Sequence, residues 1–181
     1  MESIKDNYRA RAASFENTED WQKYIHSNAD DWIAPEGCSE KERREYGTIH
    51  DNIIRNCYLI RYFADDLRKS GKLTEKTIQK HEDNISFYLN TFAAEETGAN
   101  AEQALKDSTI HEFMSYFFPR KTAWCSAENI KSNCASLNKF GTWMNANDLI
   151  SDEDLMDMKQ FIREWKGEWI EACEDMYEDL W

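Results

Sequence analysis

Apolar residues recur at every third or fourth position along most of the chain, a spacing that places them on one face of an α-helix. The clearest case follows Ser126, which is expected to cap a helix because its hydroxyl can accept a hydrogen bond from a free backbone N–H. Asn145 and Asn147 are weak helix formers, so this helix should end near them. Its apolar stripe consists of Ile130, Cys134, Leu137, Phe140 and Met144.

The same spacing predicts further helices before this one. Pro35 and Gly37 interrupt the pattern, and Pro119 is expected to stop it again. Thr74 is a second good N-cap, and His81 falls on the apolar face of its helix, where a satisfied core histidine is the usual outcome. The predicted helices cover residues 1–16, 18–33, about 40–70, 74–92 and about 107–118.

The helix predicted from Asp152 to nearly Trp181 has a seven-residue repeat. Ser151 should cap it, and the acidic residues that follow suit the positive end of the helix dipole. Such a seam can pack into its own domain or against a second subunit, and packing into its own domain is the default expectation. The first line of the seam is Leu155, Ile162, Trp169 and Met176, and the second is Met158, Trp165 and Ala172.

Five arginines lie mostly off the apolar stripe of the long helix over residues 40–70, and two interpretations compete for them. They can form a solvated face that shares ion pairs with neighbouring carboxylates, or they can form an anion-binding surface. Acidic residues alternate with them along the same helix, which favours the solvated face. The five are Arg43, Arg44, Arg55, Arg61 and Arg68.

Composition narrows the fold class. The 181 residues contain only six Gly and two Pro, too few for a β-rich fold with many turns, so an all-α fold is expected. No apolar run approaches the roughly 18 residues that a membrane span requires. No charged start followed by an apolar stretch is visible either, so a cytoplasmic protein is expected.

The charge is unevenly distributed along the chain. The formal net charge is −13, yet residues 119–150 carry four basic and two acidic groups. Residues 151–181 carry three basic and eleven acidic groups. A field of this sign repels nucleic acid at long range and favours solubility.

Residue patterns for catalysis or metal binding are missing. The four histidines form no HxxxH, HExxH or ExxH pair, and neither GxSxG nor a glycine-rich phosphate loop occurs. The five cysteines are scattered without a CxxC pair, which favours reduced thiols. We therefore expect neither an enzyme nor a cofactor, metal or disulfide.

From Leu73 onward the order of elements resembles the core-binding domain of tyrosine recombinases and phage integrases, a small SAM-like helical domain. The first matching segment is Leu73-Thr74-Glu75-Lys76-Thr77-Ile78, which continues to Phe87 and Phe92. The second is the short helix from Ile110 to Phe117. The third starts at Ser126-Ala127-Glu128-Asn129-Ile130 and continues through Leu137, Phe140 and Met144. The resemblance covers about residues 73–150.

In that family the first and third helices of the domain face the major groove of DNA. The resemblance implies that exposed positions on the matching helices here contact phosphates: Lys76, Lys80, Lys131, Ser132 and Lys139. Glu128 departs from the pattern, because a basic or amide residue would be expected there. The family's catalytic Arg, His-x-x-Arg and Tyr have no counterpart, so no recombination chemistry is expected of this chain.

These patterns together predict an all-α helical bundle. An N-terminal helical section over 1–70 precedes a four-helix core-binding-like domain over 71–181 that ends in a long acidic helix. The first hypothesis for function is a non-catalytic module that binds duplex DNA. The alternative is an acidic protein-interaction module that engages a basic protein or mimics nucleic acid. No membrane contact is expected, and either a monomer or a homodimer is compatible with the pattern.

Overall fold

The protein is an all-α bundle in the computed structural model, which describes residues 30–122 and 125–178, and no strand occurs among those residues. The helices predicted over 1–16 and 18–33 lie outside the described residues, apart from a short 3-10 turn at Asp30–Trp32. The helices are α1 (Glu40–Ser70), α2 (residues 75–97), α3 (Ala101–Ala104), α4 (residues 107–121), α5 (Ala127–Ala146) and α6 (Asp152–Glu178).

Helix α1 has the bounds that its pattern predicts, because both of its ends are capped. Ser39 and Glu42 form a capping box, in which each side chain bonds the backbone N–H of the other residue. Gly71 ends the helix in the left-handed conformation, with φ of 65°, which glycine adopts without a steric penalty. Ser70-Gly71-Lys72 therefore forms a tight corner between α1 and α2.

Two helices contain stretches of π-helix. Helix α2 is α-helical over Glu75–Ser86, π-helical over Phe87–Ala94 and α-helical again over Glu95–Thr97. Helix α4 is likewise built from Asp107–Glu112, the π-helix Phe113–Phe117 and Phe118–Lys121. Asn56 of α1, which is buried, donates its amide N–H to the π-helical carbonyl of Leu89 over 3.1 Å.

The prediction that Pro119 stops α4 is wrong, because the helix continues to Lys121. Pro119 lies at the start of the α-helical turn that follows the π-helix. A proline is tolerated at the first positions of a turn, where its missing N–H has no partner to lose.

One apolar core joins α1 to the later helices. Phe63 of α1 packs edge-on against Phe140 of α5, with 5.3 Å between ring centroids. The indole N–H of Trp143 on α5 donates to Asp66 of α1 over 3.0 Å. The two π-helical stretches meet through Phe92 and Phe117, whose centroids lie 4.9 Å apart. The section before residue 71 and the helices after it therefore share a core.

Helix α6 packs against α5, as the default expectation for its seam proposed. A side chain at Gly141 would collide with Met158, which approaches the helix closely at this point. The second line of the seam is only partly right, because Trp165 is half-buried and Ala172 is exposed. Of the first line, Ile162 and Trp169 are buried, Leu155 is half-buried, and the side chain of Met176 lies outside the described part of the chain. The buried line of the helix is Met158, Ile162, Trp169 and Cys173.

All five cysteines lie within the described residues and carry free thiols. Cys38 is partly exposed, while the other four are buried. Burial raises the pKa of Cys57 to about 12 and that of Cys134 to about 11. Within the described part of the chain, no helix combines the length and the apolar character that crossing a bilayer requires.

Candidate nucleic-acid interface

The helices that carry the five predicted contact residues pack against each other through polar side chains. His81 of α2 lies 2.8 Å from the hydroxyl of Ser136 on α5, measured from Nδ1 to Oγ. Asn84, one turn further along α2, donates its amide N–H groups to Ser132 and Ser136, each over 2.9 Å. Residue numbers rise along α2 as they fall along α5, so the two helices are antiparallel.

The hydrogen-bond network assigns the tautomer of His81. Ser136 donates its only hydroxyl hydrogen to the carbonyl oxygen of Ser132 over 3.0 Å. Its oxygen must therefore accept from both Asn84 and His81, which places a proton on Nδ1 of the imidazole. Burial lowers the pKa of His81, and the charges of Lys139 and Lys80 lower it further. The ring is therefore neutral at pH 7 and donates to Ser136.

Three of the five predicted contact residues come together around this network. The charges of Lys80 and Lys139, on two different helices, both lower the pKa of His81, and Ser132 accepts a hydrogen bond from Asn84 one turn further along α2. Lys76 is exposed one turn before Lys80, so it extends the surface along α2. Lys131 is exposed on the solvent side of α5, about a quarter turn around the helix from Ser132. We call these four lysines, together with Ser132, the lysine face.

The lysines of this face have no carboxylate within ion-pair distance among the described residues. The acidic residues of α2 are directed elsewhere, because Arg68 of α1 takes up two of them. Its Nη2 lies 2.6 Å from Oε1 of Glu75 and 3.2 Å from Oε2 of Glu82. Burial raises the pKa of Glu82, while Arg68 opposes that shift.

The contacts of Arg68 and its neighbours distinguish the two interpretations of the α1 arginines, a solvated face with ion pairs and an anion-binding surface. Arg68 also lies 3.4 Å from Asp65, and Arg61 lies 3.7 Å from the same carboxylate. Arg44 pairs with Glu40, and Arg55 pairs with Glu102 of α3. Ion pairing therefore accounts for these four arginines, as the solvated-face interpretation predicts.

Two carboxylates remain at one end of the lysine face. Asp83 is exposed on α2 and accepts a hydrogen bond from Gln79 over 2.9 Å. Glu128 is exposed in the first turn of α5, where the helix dipole favours a negative charge. A polyanion that contacts this surface must therefore approach from the side of Lys76, Lys80 and Lys139.

Sequence reasoning missed Asn84 and Ser136, which bond the two helices together. The signal for Ser136 was weak but present, since Ser132 and Ser136 stand one turn apart beside an otherwise apolar stripe. Nothing in the sequence showed that their partners would be Asn84 and His81, because that depends on which helices pack together. Among the described residues, no group of three or more metal-ligating side chains comes together.

Comparison with known proteins does not assign this surface. No protein-family profile, no curated protein and no solved structure matches the chain.

Proposed function

We propose that the chain binds the phosphate backbone of duplex DNA through the lysine face. The carrying observation is that two packed helices, α2 and α5, bring Lys80 and Lys139 close to His81, and that neither lysine has a carboxylate partner among the described residues. Lysine ammonium groups bind phosphates by displacing condensed counterions, which gives affinity without sequence preference. The hydroxyl of Ser132 lies on the same surface and suits a phosphate oxygen.

The net charge of −13 opposes this binding at long range. The affinity should therefore be modest and should be highest at low salt, where the local lysines attract phosphate with the least screening. Each phosphate that a lysine neutralises adds roughly 0.9 to the slope of log affinity against log salt.

The test replaces Lys76, Lys80, Lys131 and Lys139 together by Ala. The variant should bind a fluorescently labelled duplex more weakly in anisotropy titrations at low salt, and its salt slope should be shallower by up to roughly four units. The matched control removes four lysines on other parts of the chain: Lys41, Lys69, Lys121 and Lys159. That control has the same net charge as the test variant, so the proposal requires it to retain a slope close to that of the unaltered protein.

Two results would contradict the proposal. One is the absence of duplex binding by the unaltered protein at low salt. The other is an equal loss of slope in both quadruple variants, which would show that net charge alone governs the binding.

A second candidate function rests on the outer face of α6. Exposed carboxylates follow this helix, with Lys159, Arg163 and Lys166 as its only basic residues between 152 and 175. A surface with this excess of negative charge suits a basic protein partner. The carboxylates are Asp152, Glu153, Asp157, Glu164, Glu168, Glu171, Glu174 and Asp175.

A further inference from the structure

A small cavity lies beside the lysine face, where the middle of α2 meets the start of α5 and the end of α4. Its volume is about 200 Å³, below the roughly 300 Å³ at which pockets for drug-sized ligands begin. The size suits a single ring system. Its lining residues are Asp83, Asn84, Phe87, Phe118, Asn129 and Asn133.

Two of the three asparagines in this lining each leave over an amide oxygen, which can only accept a hydrogen bond. Asn84 spends its N–H groups on the two serines of α5, which fixes its amide orientation and leaves Oδ1 over. Asn133 donates its N–H to the carbonyl oxygen of Asn129 over 2.9 Å, so its Oδ1 is left in the same way. No donor among the described residues bonds either oxygen. Asp83 adds a carboxylate, which can only accept.

The remaining walls are aromatic. Phe118 is 2% exposed, Phe87 is half-buried, and their ring centroids lie 6.3 Å apart. Asn133 is itself 4% exposed, so one of the free acceptors belongs to an almost fully buried side chain. The two rings meet edge to face, with 70° between their planes, so a flat ligand can stack on Phe87 but not on both rings. The ligand must also present N–H donors at its edge.

Charges of both signs surround the cavity, because the carboxylate of Asp83 lies in its lining and that of Glu128 is exposed in the first turn of α5. The cavity includes residues of the first two turns of α5, where the helix dipole is positive. Lys80 stands one turn before Asn84 on α2 and adds a positive charge nearby. A neutral amino group on a flat ring satisfies the acceptors without adding a charge to this balance, and the comparison with free arginine below tests it against a guanidinium group.

We propose that this cavity binds a nucleobase with an exocyclic amino group, such as cytosine or adenine. Proteins recognise unstacked bases in this way, by hydrogen bonds to the base edge and by contact of aromatic side chains with its faces. Because the cavity adjoins the lysine face, a base that belongs to a nucleic-acid strand rests on the DNA binding proposed above. A free nucleoside carries the same chemistry without that dependence.

The test compares cytidine with uridine. The two differ at ring position 4, where cytidine carries an amino group and uridine a carbonyl. Ligand-observed NMR titrations of the full chain should give cytidine an affinity at least about tenfold higher than that of uridine, since one good base-edge contact discriminates by that order. Equal affinities, or no cytidine binding at millimolar concentration, would overturn the proposal. Tighter binding of free arginine than of cytidine would overturn it too.

Two variants locate the site. Asp83→Ala alters an exposed helical position and should weaken cytidine binding about fivefold or more, while Asp157→Asn on α6 should leave it unchanged. Asn133→Leu replaces the buried amide by an apolar side chain with the same branching and should abolish the preference for cytidine. Circular dichroism checks its fold, and Asp83→Ala keeps the test decisive if that variant does not fold. Unchanged cytidine binding in Asp83→Ala would contradict the proposed site.

Two further experiments distinguish a strand-borne base from a free nucleoside and separate base binding from the role of the lysine face. Single strands of dC and dT of equal length compare a strand-borne base with the free nucleosides. The quadruple lysine variant should lose duplex binding and keep cytidine binding, whereas Asp83→Ala should do the opposite. Failure of the DNA proposal therefore leaves the cytidine result standing, and failure of the cavity leaves the duplex result standing.

Discussion

His81 shows at the scale of one residue how packing assigns a chemical state. Its position on the apolar face of α2 was predictable from spacing, and so was its burial. Its hydrogen bond to Ser136 and the effect of Lys139 on its pKa were not, because both residues belong to another helix. The result is an imidazole that resists protonation and holds α2 to α5.

This resistance has a consequence for stability against pH. The unfolded chain protonates His81 at its ordinary pKa near 6.5, while burial lowers the pKa of the folded form. Above that pH both forms are neutral, so the effect is absent. As the pH falls below about 6.5 the unfolded state binds the proton first, and the folded state loses stability.

We therefore expect His81→Asn to reduce the loss of stability between pH 7.5 and pH 5.0. Asparagine keeps an N–H donor close to the position of Nδ1, so the bond to Ser136 is retained while the titration is removed. Urea unfolding at the two pH values measures the difference, and His50→Asn on α1 is the matched control. A loss as large in His81→Asn as in the unaltered protein would show that His81 does not contribute.

At the scale of elements, α6 shows that a repeat in the sequence does not by itself identify the residues that support the core. Trp169 is 2% exposed and lies in the main core, whereas Trp165 is half-buried beside His111, with 4.6 Å between ring centroids. The seven-residue repeat treats both as seam positions. A straight helix of 3.6 residues per turn drifts away from such a repeat, and the buried line moves with it.

Trp169→Ala should destabilise the protein by about 3–5 kcal/mol, as expected when a large aromatic side chain leaves a packed core. Trp165→Ala should cost clearly less, because part of that ring already contacts water. Ala172→Glu should stay within about 0.5 kcal/mol of the unaltered protein, since the position is exposed. Chemical denaturation measures all three, and equal losses for the two tryptophans would contradict the buried line.

The elements also show which parts of the fold were predictable from sequence. The bounds of α1 and the caps of α2 and α5 depend on local chemistry, and Ser39, Thr74 and Ser126 each accept the expected backbone bond. The π-helical stretch of α2 was not predictable, because the carbonyl of Leu89 accepts a hydrogen bond from Asn56 of α1, a partner that only packing supplies. The cavity beside Asn133 escaped prediction for the same reason, since three helices line it.

At the scale of the whole molecule, the two candidate functions use surfaces of opposite charge. The lysine face attracts phosphate locally, while the outer face of α6 contributes to a field that repels it. The balance between them is adjustable, because four carboxylates near the end of α6 are exposed and stand apart from the buried line: Glu168, Glu171, Glu174 and Asp175.

Replacing these four by Gln or Asn removes four negative charges from −13 and leaves −9. Duplex DNA affinity at low salt should rise, and the gain should fade as salt screens the long-range field. The substitutions keep Trp169 and Cys173 in place, so the core is preserved. Binding of a basic peptide, measured in parallel, should weaken if α6 is a partner surface. An unchanged DNA affinity would show that the field of α6 does not reach the lysine face.

The uneven burial of the five thiols makes the folded chain selective towards alkylating reagents. Only a thiolate attacks a maleimide, so the buried Cys57 and Cys134, whose pKa values are raised, should react far more slowly than the partly exposed Cys38. One dye should attach to the native protein at neutral pH, as intact mass spectrometry would show. Rapid modification of two or more sites without denaturant would contradict the burial. The rate at which the four slower sites react then reports how often the core opens, so the native thiols can be used to measure unfolding.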